Sequence, residues 1–223
     1  MRGRNVFLLF ALCGLIAFSC VQQKDRRVTV QGAISHLGGS ELYVTYTNAQ
    51  FKRTIDTLHS SMSGKFRLKL RTCDDLIPIT IYFTGKKCWT TLFAEPGDHI
   101  LIHGNIESVD LLSVRGGEVN NDLNRFKTKI RELYQERLDI LKGAYSRENS
   151  SEVRLAEINL QLKRSAKEFI KENPSSIASV VLIQDFFYQE YDPATTELLG
   201  LLTGKARICH LADKIREGIR KGH

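Results

Sequence analysis

The chain has 223 residues, of which 32 are Lys or Arg and 25 are Asp or Glu, so its formal net charge is +7. A hydrophobic content of 42% is ordinary for a globular protein and excludes a chain that is disordered overall. The basic residues are spread along the sequence rather than collected in one block, so the net charge alone does not indicate a nucleic-acid-binding protein.

The first twenty residues have the layout of an export signal. Arg2 and Arg4 precede an uncharged apolar stretch over 6–18, which is followed by Ser19 and Cys20. A basic segment, an apolar segment and a small-residue cleavage site, in this order, are typical of a secretory signal peptide. The apolar stretch is shorter than the roughly 20 residues that a membrane-spanning helix needs. The sequence therefore predicts a signal peptide over residues 1–19.

The residue at the predicted cleavage point is a cysteine, and Ala17-Phe18-Ser19-Cys20 resembles a bacterial lipobox. We expect Cys20 to carry the lipid, residues 20–27 to form a lipidated tether, and the protein to be a membrane-anchored lipoprotein of the cell envelope that faces the periplasm or the cell surface. Multiple acyl chains hold a protein stably on a membrane. The alternatives are a plain signal peptide with an incidental Cys20, or a short N-terminal anchor.

Export also limits which molecules the protein can bind. The membrane, reached through the N-terminal lipid, and an envelope protein are the expected partners, and nucleic acid is not. Loss of Arg2 and Arg4 lowers the net charge from +7 to +5. The remaining positive charge is consistent with proximity to anionic lipid or with a solvated surface.

Hydrophobic residues alternate with polar ones from 28 to about 115, which predicts half-buried strands. Turn signals separate these runs, and Pro96-Gly97 suits the centre of a type II turn. Short strands with such spacing predict an antiparallel β-sandwich domain over 28–115. The residues expected to face its core are Val28, Val30, Ile34, Leu42, Val44, Tyr46, Phe66, Leu68, Leu70, Ile77, Ile79, Ile81, Phe83, Trp89, Thr91, Phe93, Ile100 and Ile102.

The pattern becomes helical over residues 116–223, so the predicted fold class is α+β. One apolar stripe from Leu123 to Ile140 predicts a helix of about 20 residues that ends at Gly143. A second stripe, from Leu155 to Phe169, predicts its partner in an antiparallel hairpin with a turn at 144–149. Asn173-Pro174 and Asp192-Pro193 each place a capping residue before a proline, which predicts helices over 174–190 and 193–202, and a further helix is predicted over 205–221.

Several short motifs occur in a characteristic order over about 190 residues. They are Gly32-Ala33-Ile34, Thr54-Ile55-Asp56-Thr57, Ser63-Gly64-Lys65-Phe66, Phe93-Ala94-Glu95-Pro96-Gly97-Asp98, Val114-Arg115-Gly116-Gly117-Glu118-Val119-Asn120 and Phe169-Ile170-Lys171-Glu172-Asn173-Pro174-Ser175-Ser176. Through them the chain resembles the N-terminal region of ResA/TlpA-like thiol:disulfide interchange lipoproteins, a domain of unknown function that precedes a thioredoxin domain.

The resemblance implies an envelope location and a β-rich architecture. It implies no catalytic residue, because the thioredoxin domain and its Cys-x-x-Cys would begin about where this chain stops. A fold-level likeness does not transfer a function. A truncated redox lipoprotein is therefore one interpretation of the chain.

Cys73, Cys88 and Cys209 remain once Cys13 and Cys20 are set aside. A hairpin over 77–94 would hold Cys73 roughly 20 Å from Cys88, whereas a disulfide needs Cα atoms within about 7 Å. We therefore expect these cysteines to pack as small apolar residues. The alternative is that they form mixed disulfides with a redox partner.

Other candidate sites are sparse. His99 and His103 would share one strand face about 13 Å apart, too far to bind one metal ion without a third element, so no metal is expected. Asp74-Asp75 could act as paired carboxylates, but we expect the two residues to form a solvated turn. The aromatic residues Phe186, Phe187, Tyr188 and Tyr191 either line a groove or, as we expect, belong to a helix packed on the sandwich.

No catalytic motif and no cofactor motif is recognisable. The sequence thus predicts a non-catalytic, lipid-anchored envelope protein that acts as a binding or assembly module. The alternative is a redox accessory of a thiol:disulfide exchange system that uses Cys73, Cys88 or Cys209.

Overall fold

The computed structural model describes residues 27–72, 75–143, 149–190 and 192–222, without the side chains of 149 and 150. The predicted signal peptide, Cys20 and nearly all of the tether lie outside these residues, as do Cys73, Asp74 and Tyr191. The predictions of cleavage and lipidation therefore stay predictions. Within the described ranges, none of the helices combines the length and the hydrophobicity that a membrane span requires.

In the described residues, eight strands form two four-stranded sheets that pack as a sandwich, and helices follow, which confirms the α+β class. The strands are β1 Arg27–Ser35, β2 Glu41–Thr47, β3 Arg53–His59, β4 Lys65–Arg71, β5 Ile77–Phe83, β6 Cys88–Ala94, β7 His99–Asn105 and β8 Ser113–Arg115. Sheet A has the order β4-β1-β7-β8 and sheet B the order β3-β2-β5-β6. Strands β1 and β7 pair in parallel, and the other pairs are antiparallel.

The sandwich core lies between the inner faces of the two sheets. Because side chains alternate between faces along a strand, each apolar run contributes every second residue to this core. The inward orientation is confirmed for the predicted residues of β1, β2, β4, β5 and β7, all of which are buried. The Pro96-Gly97 turn is also confirmed, with Gly97 at φ +94° and the Asp98 N–H donating to the Glu95 carbonyl at 3.1 Å.

The orientation predicted for β6 is wrong. Thr90, Leu92 and Ala94 face the core, whereas Trp89 is 61% exposed and points out of the sandwich together with Thr91 and Phe93. Both alternating sets of β6 contain residues that suit a strand, so periodicity could not choose between them. Register decides the face, since Leu92 pairs with the inward-facing Ile79 of β5.

Seven α-helices follow the sandwich in the described residues: α1 Glu118–Lys129, α2 Arg131–Leu141, α3 Asn149–Glu172, α4 Ile177–Ile183, α5 Ala194–Leu201, α6 Gly204–Ile208 and α7 His210–Arg220. A π-helical turn, Gln184–Tyr188, extends α4. The single helix predicted up to Gly143 is two helices that meet at a kink at the buried Ile130, whose φ is −108° and ψ is 15°. The helix predicted over 205–221 is likewise divided, because Cys209 has extended backbone angles.

The predicted antiparallel hairpin is confirmed by two ion pairs. Lys129 contacts Glu168 at 3.6 Å, while Arg154 contacts Glu136 at 2.7 Å. The earlier residue of the first arm, Lys129, contacts the later residue of the second arm, Glu168. The later residue of the first arm, Glu136, contacts the earlier residue of the second arm, Arg154, so the two arms are antiparallel. The apolar stripe of α3 faces inward and forms part of the helical core.

The helix predicted over 174–190 packs differently from the prediction. All seven residues of α4 are buried within the helical core rather than against the sandwich. Its N-terminus is capped by Ser176, whose side chain accepts a hydrogen bond from the Ala178 N–H at 3.2 Å. Asn173, the predicted cap, instead donates to the Phe169 carbonyl. The helix therefore begins three residues later than the sequence indicates.

Candidate functional site

A buried asparagine joins the helices to the sandwich. Strand β6 is an edge strand of sheet B, and the Asn120 side chain of α1 pairs with its backbone at Phe93. The Phe93 N–H donates to Asn120 Oδ1 at 2.9 Å, and Asn120 Nδ2 donates to the Phe93 carbonyl at 2.6 Å. One amide thus supplies both partners that a neighbouring strand would supply, so α1 has a fixed position against β6.

This junction is formed by two of the sequence motifs, the one over 93–98 and the one over 114–120. Gly116 has φ +102°, and a Cβ at this position would lie 2.0 Å from the His99 carbonyl oxygen. Only glycine fits there, because the chain must pass directly over β7 as it enters α1. The two motifs therefore have a shared structural role in placing the helices beside sheet B.

A large cleft lies between the outer face of sheet B and the helices. Its volume is about 1010 Å³, at the upper end of the range found for ligand sites. Pro78, Trp89, Thr91 and Phe93 form the sheet wall. The opposite wall comes from α1, α2, α4 with its π-helical turn, and the α6–α7 junction, through residues that include Phe126, Lys127, Tyr134, Asp185, Phe186, Ile208 and Cys209.

From Trp89 and Thr91 in the cleft, the sheet wall continues across sheet B as an exposed surface, and we term this whole surface the aromatic face. It consists of two rows across the four strands. The first row is Thr57, Tyr43, Tyr82 and Trp89, and the second is Ile55, Thr45, Thr80 and Thr91. The Tyr82 and Trp89 rings lie 6.3 Å apart. No residue of either row is charged, in a chain in which 26% of residues are charged.

Several ionisable groups meet in the helical wall of the cleft. Burial lowers the pKa of Lys127, and Asp110 and Asp185 oppose this effect. Desolvation by the neighbouring helices raises the pKa of Asp185 to about 6 against the opposing charge of Lys127, and solvent still reaches the Asp185 side chain. Burial raises the pKa of Tyr134 to about 12. Lys127 has no carboxylate within 4.0 Å among the described residues. These groups can therefore bind polar atoms of a ligand.

The two described cysteines are free and half-buried, as predicted for packing residues. Cys88 packs against the sandwich core, and burial raises its pKa. Cys209 borders the helical core and the cleft, and its Sγ donates to the Ala206 carbonyl at 3.4 Å.

The predicted metal candidates do not enter the cleft. His99 and His103 lie on the exposed face of β7. Across the described ranges, no three His, Cys, Asp or Glu side chains are grouped so that they could hold a metal ion. Asp75 is exposed at the edge of the cleft.

The aromatic residues after α4 divide between the two interpretations that the sequence left open. Phe187 is buried in the helical core, whereas Phe186 lines the cleft and packs edge-to-face on Phe126 with ring centroids 6.0 Å apart. The prediction missed Lys127 and Asp185, since each is an ordinary charged residue in its own helix. No local pattern shows that they converge.

Comparisons with protein-family models, curated proteins and solved structures find no match to this chain. The resemblance to ResA/TlpA-like lipoproteins stays a prediction.

Proposed function

We propose that this protein is a non-catalytic binding module of the bacterial cell envelope, anchored through a lipid on Cys20, whose ligand lies in the cleft and along the aromatic face. The observation that carries this proposal is the large cleft with one uncharged, aromatic wall that extends onto an exposed sheet surface. Exposed apolar patches next to a cavity are characteristic of binding sites.

The composition of the two walls favours an uncharged ligand with apolar faces and many hydroxyl groups, as in a neutral glycan. Aromatic rings offer flat apolar contact. The threonines beside them offer hydroxyl groups that both donate and accept hydrogen bonds. The Thr80 and Thr91 hydroxyls lie 3.2 Å apart in this row. Charges at Lys127 and Asp185 would then fix the ligand's orientation at the helical wall.

Trp89 provides a direct test, because it is the single tryptophan of the chain and stands at the cleft. We expect the fluorescence of Trp89 to change when neutral oligosaccharides are titrated in. Tyr82→Ala should weaken binding about tenfold, since it removes the adjacent ring. Leu101→Ala, on sheet A, is a matched control that removes a similarly exposed apolar residue and should leave the affinity unchanged.

Two outcomes would count against this proposal in different ways. If an envelope extract changes the Trp89 signal but no neutral oligosaccharide does, the ligand class is wrong. If neither changes it, the cleft is not a ligand site under these conditions and the binding function fails.

Anchoring is tested separately in the native envelope. We expect Cys20→Ser to remove incorporation of a labelled fatty acid and to release the protein from the membrane fraction. Cys13→Ser is the matched control, because Cys13 lies within the predicted signal peptide and should not affect lipidation. Retention of the label in Cys20→Ser would contradict the predicted attachment site.

The redox alternative has less support. A reactive cysteine needs an accessible thiolate, usually with a lowered pKa, whereas burial raises the pKa of Cys88. Within the described part of the cleft, the thiol of Cys209 donates to a backbone carbonyl rather than to a base.

A further inference from the structure

The outer face of sheet A differs sharply from the aromatic face on the other side of the sandwich. Strand β4 reads Lys65-Phe66-Arg67-Leu68-Lys69-Leu70-Arg71, and its burial alternates, so every cation points outward. β1 and β8 add Arg27 and Arg115 on the same side. We term this surface the basic face. Its six cations are Arg27, Lys65, Arg67, Lys69, Arg71 and Arg115.

No acidic residue lies on the outer face of these four strands. Apart from Arg27, the cations of the basic face have no carboxylate within 4.0 Å in the described ranges. In the helical region the arrangement is different, since many cations are paired there. Those in ion pairs include Lys129, Arg154, Lys163, Lys167, Lys205, Arg216 and Lys221.

Edge-strand protection does not account for the whole surface. Charged residues on an edge strand prevent aggregation, and β4 is an edge strand. However, Arg27 lies on the interior strand β1, and Arg115 lies on β8 at the opposite edge. The cations thus cover an area about 20 Å along β4 and about 14 Å across the sheet.

We propose that the basic face docks on the anionic phospholipid headgroups of a membrane. Clustered Lys and Arg side chains are attracted to an anionic bilayer within about a Debye length of its surface. The occupant is a bilayer rather than another polyanion because of the position of Cys20. Six residues separate it from Arg27, so an anchored chain holds the edge of the basic face within about 25 Å of the membrane. This last step rests on the lipid anchor of the proposed function.

Docking in this way orients the molecule. The two sheets of the sandwich face opposite directions, so a basic face on the bilayer turns the aromatic face and the cleft away from it. The lipid holds the protein near the membrane, and the basic face determines which side of the protein is presented to the envelope.

The test uses the processed chain, residues 20–223, with Cys20→Ser, so that binding does not depend on lipidation. We expect this protein to bind phosphatidylcholine vesicles that contain phosphatidylglycerol, not to bind vesicles of phosphatidylcholine alone, and to lose binding at high salt. The variant K65Q/R67Q/K69Q/R71Q should bind anionic vesicles at least about tenfold more weakly. The matched control K142Q/R164Q/K171Q/R207Q has the same net charge and removes exposed cations of the helical region; it should lose no more than about threefold.

The single tryptophan supplies an independent readout. Trp89 lies on the opposite sheet, so its emission should not shift when vesicles bind. Absence of binding to anionic vesicles, equal losses in the two quadruple variants, or a blue shift of Trp89 would each overturn the proposal. Binding of oligosaccharides at Trp89 by the K65Q/R67Q/K69Q/R71Q variant shows that the fold and the cleft are intact. Failure of the docking proposal is thereby distinguished from failure of the proposed binding function.

Discussion

At the scale of single residues, the cleft combines groups that come from distant parts of the chain. Lys127 lies on α1, Tyr134 on α2 and Asp185 on the turn after α4, and each has its pKa displaced chiefly by burial. Such perturbed groups in a concave site are characteristic of places where a ligand is bound. Their convergence requires the kink at Ile130 and the central position of α4, neither of which a local sequence pattern specifies.

Asp185 should make stability depend on pH. Its pKa is raised to about 6, whereas the unfolded chain titrates near the ordinary value of 3.8. Between these values the folded state binds more protons, so stability is greatest below pH 4 with respect to this group and falls as pH rises to about 6. Asp185→Asn should remove this dependence and stabilise the protein at pH 7, by no more than about 1 kcal/mol because solvent reaches the side chain.

Thermal unfolding between pH 4 and pH 7 measures the effect of Asp185→Asn. Glu132→Gln is a suitable control, since it removes an exposed carboxylate from α2 outside the cleft. At pH 4, the melting temperatures of the two variants should differ from that of the wild type by the same amount. By pH 7, the melting temperature of Asp185→Asn should be higher than that of Glu132→Gln. An NMR titration of the Asp185 carboxyl with a midpoint near 4 would contradict the expectation.

At the scale of elements, the period of the hydrophobic pattern separated the strand region from the helical region and predicted six of the eight strands in the described residues, but neither β3 nor β8. It also predicted the inward face wherever the opposite face is strongly polar, as in β4 with its alternating cations. It was wrong for β6, where both faces contain aromatic, aliphatic or threonine side chains. The proposed function would account for this ambiguity, because a face that binds an uncharged ligand has the same residue types as a face that packs in a core.

The local sequence also fails to predict where some helices begin. Asn173-Pro174 indicates a helix start, but Ser176 provides the cap and α4 begins at Ile177. Ser176 is retained there by tertiary structure, since its hydroxyl donates to Asp122 of α1 at 2.5 Å. A cap that depends on a contact with a residue 54 positions away cannot be predicted from the local sequence.

At the scale of the whole molecule, the two faces of the sandwich and the position of the helices are consistent with one orientation. Sheet A carries the basic face and sheet B carries the aromatic face, and the helices pack beside the latter to form the cleft. The position of the helices depends on Asn120, because its side chain joins α1 to the backbone of β6. The integrity of the cleft should therefore depend on this residue.

We expect Asn120→Ala to destabilise the protein by about 1–3 kcal/mol, because the Phe93 N–H and carbonyl would lose their partner at a buried junction. Asn124→Ala is the matched control: it is the same substitution on the same helix, and no hydrogen bond of the Asn124 side chain occurs among the described residues. Chemical denaturation measures the difference, and hydrogen exchange should show loss of protection at the Phe93 amide in Asn120→Ala alone. Equal stability of the two variants would mean that α1 is held to β6 by the packing of Phe93 in the helical core, with no net contribution from the asparagine.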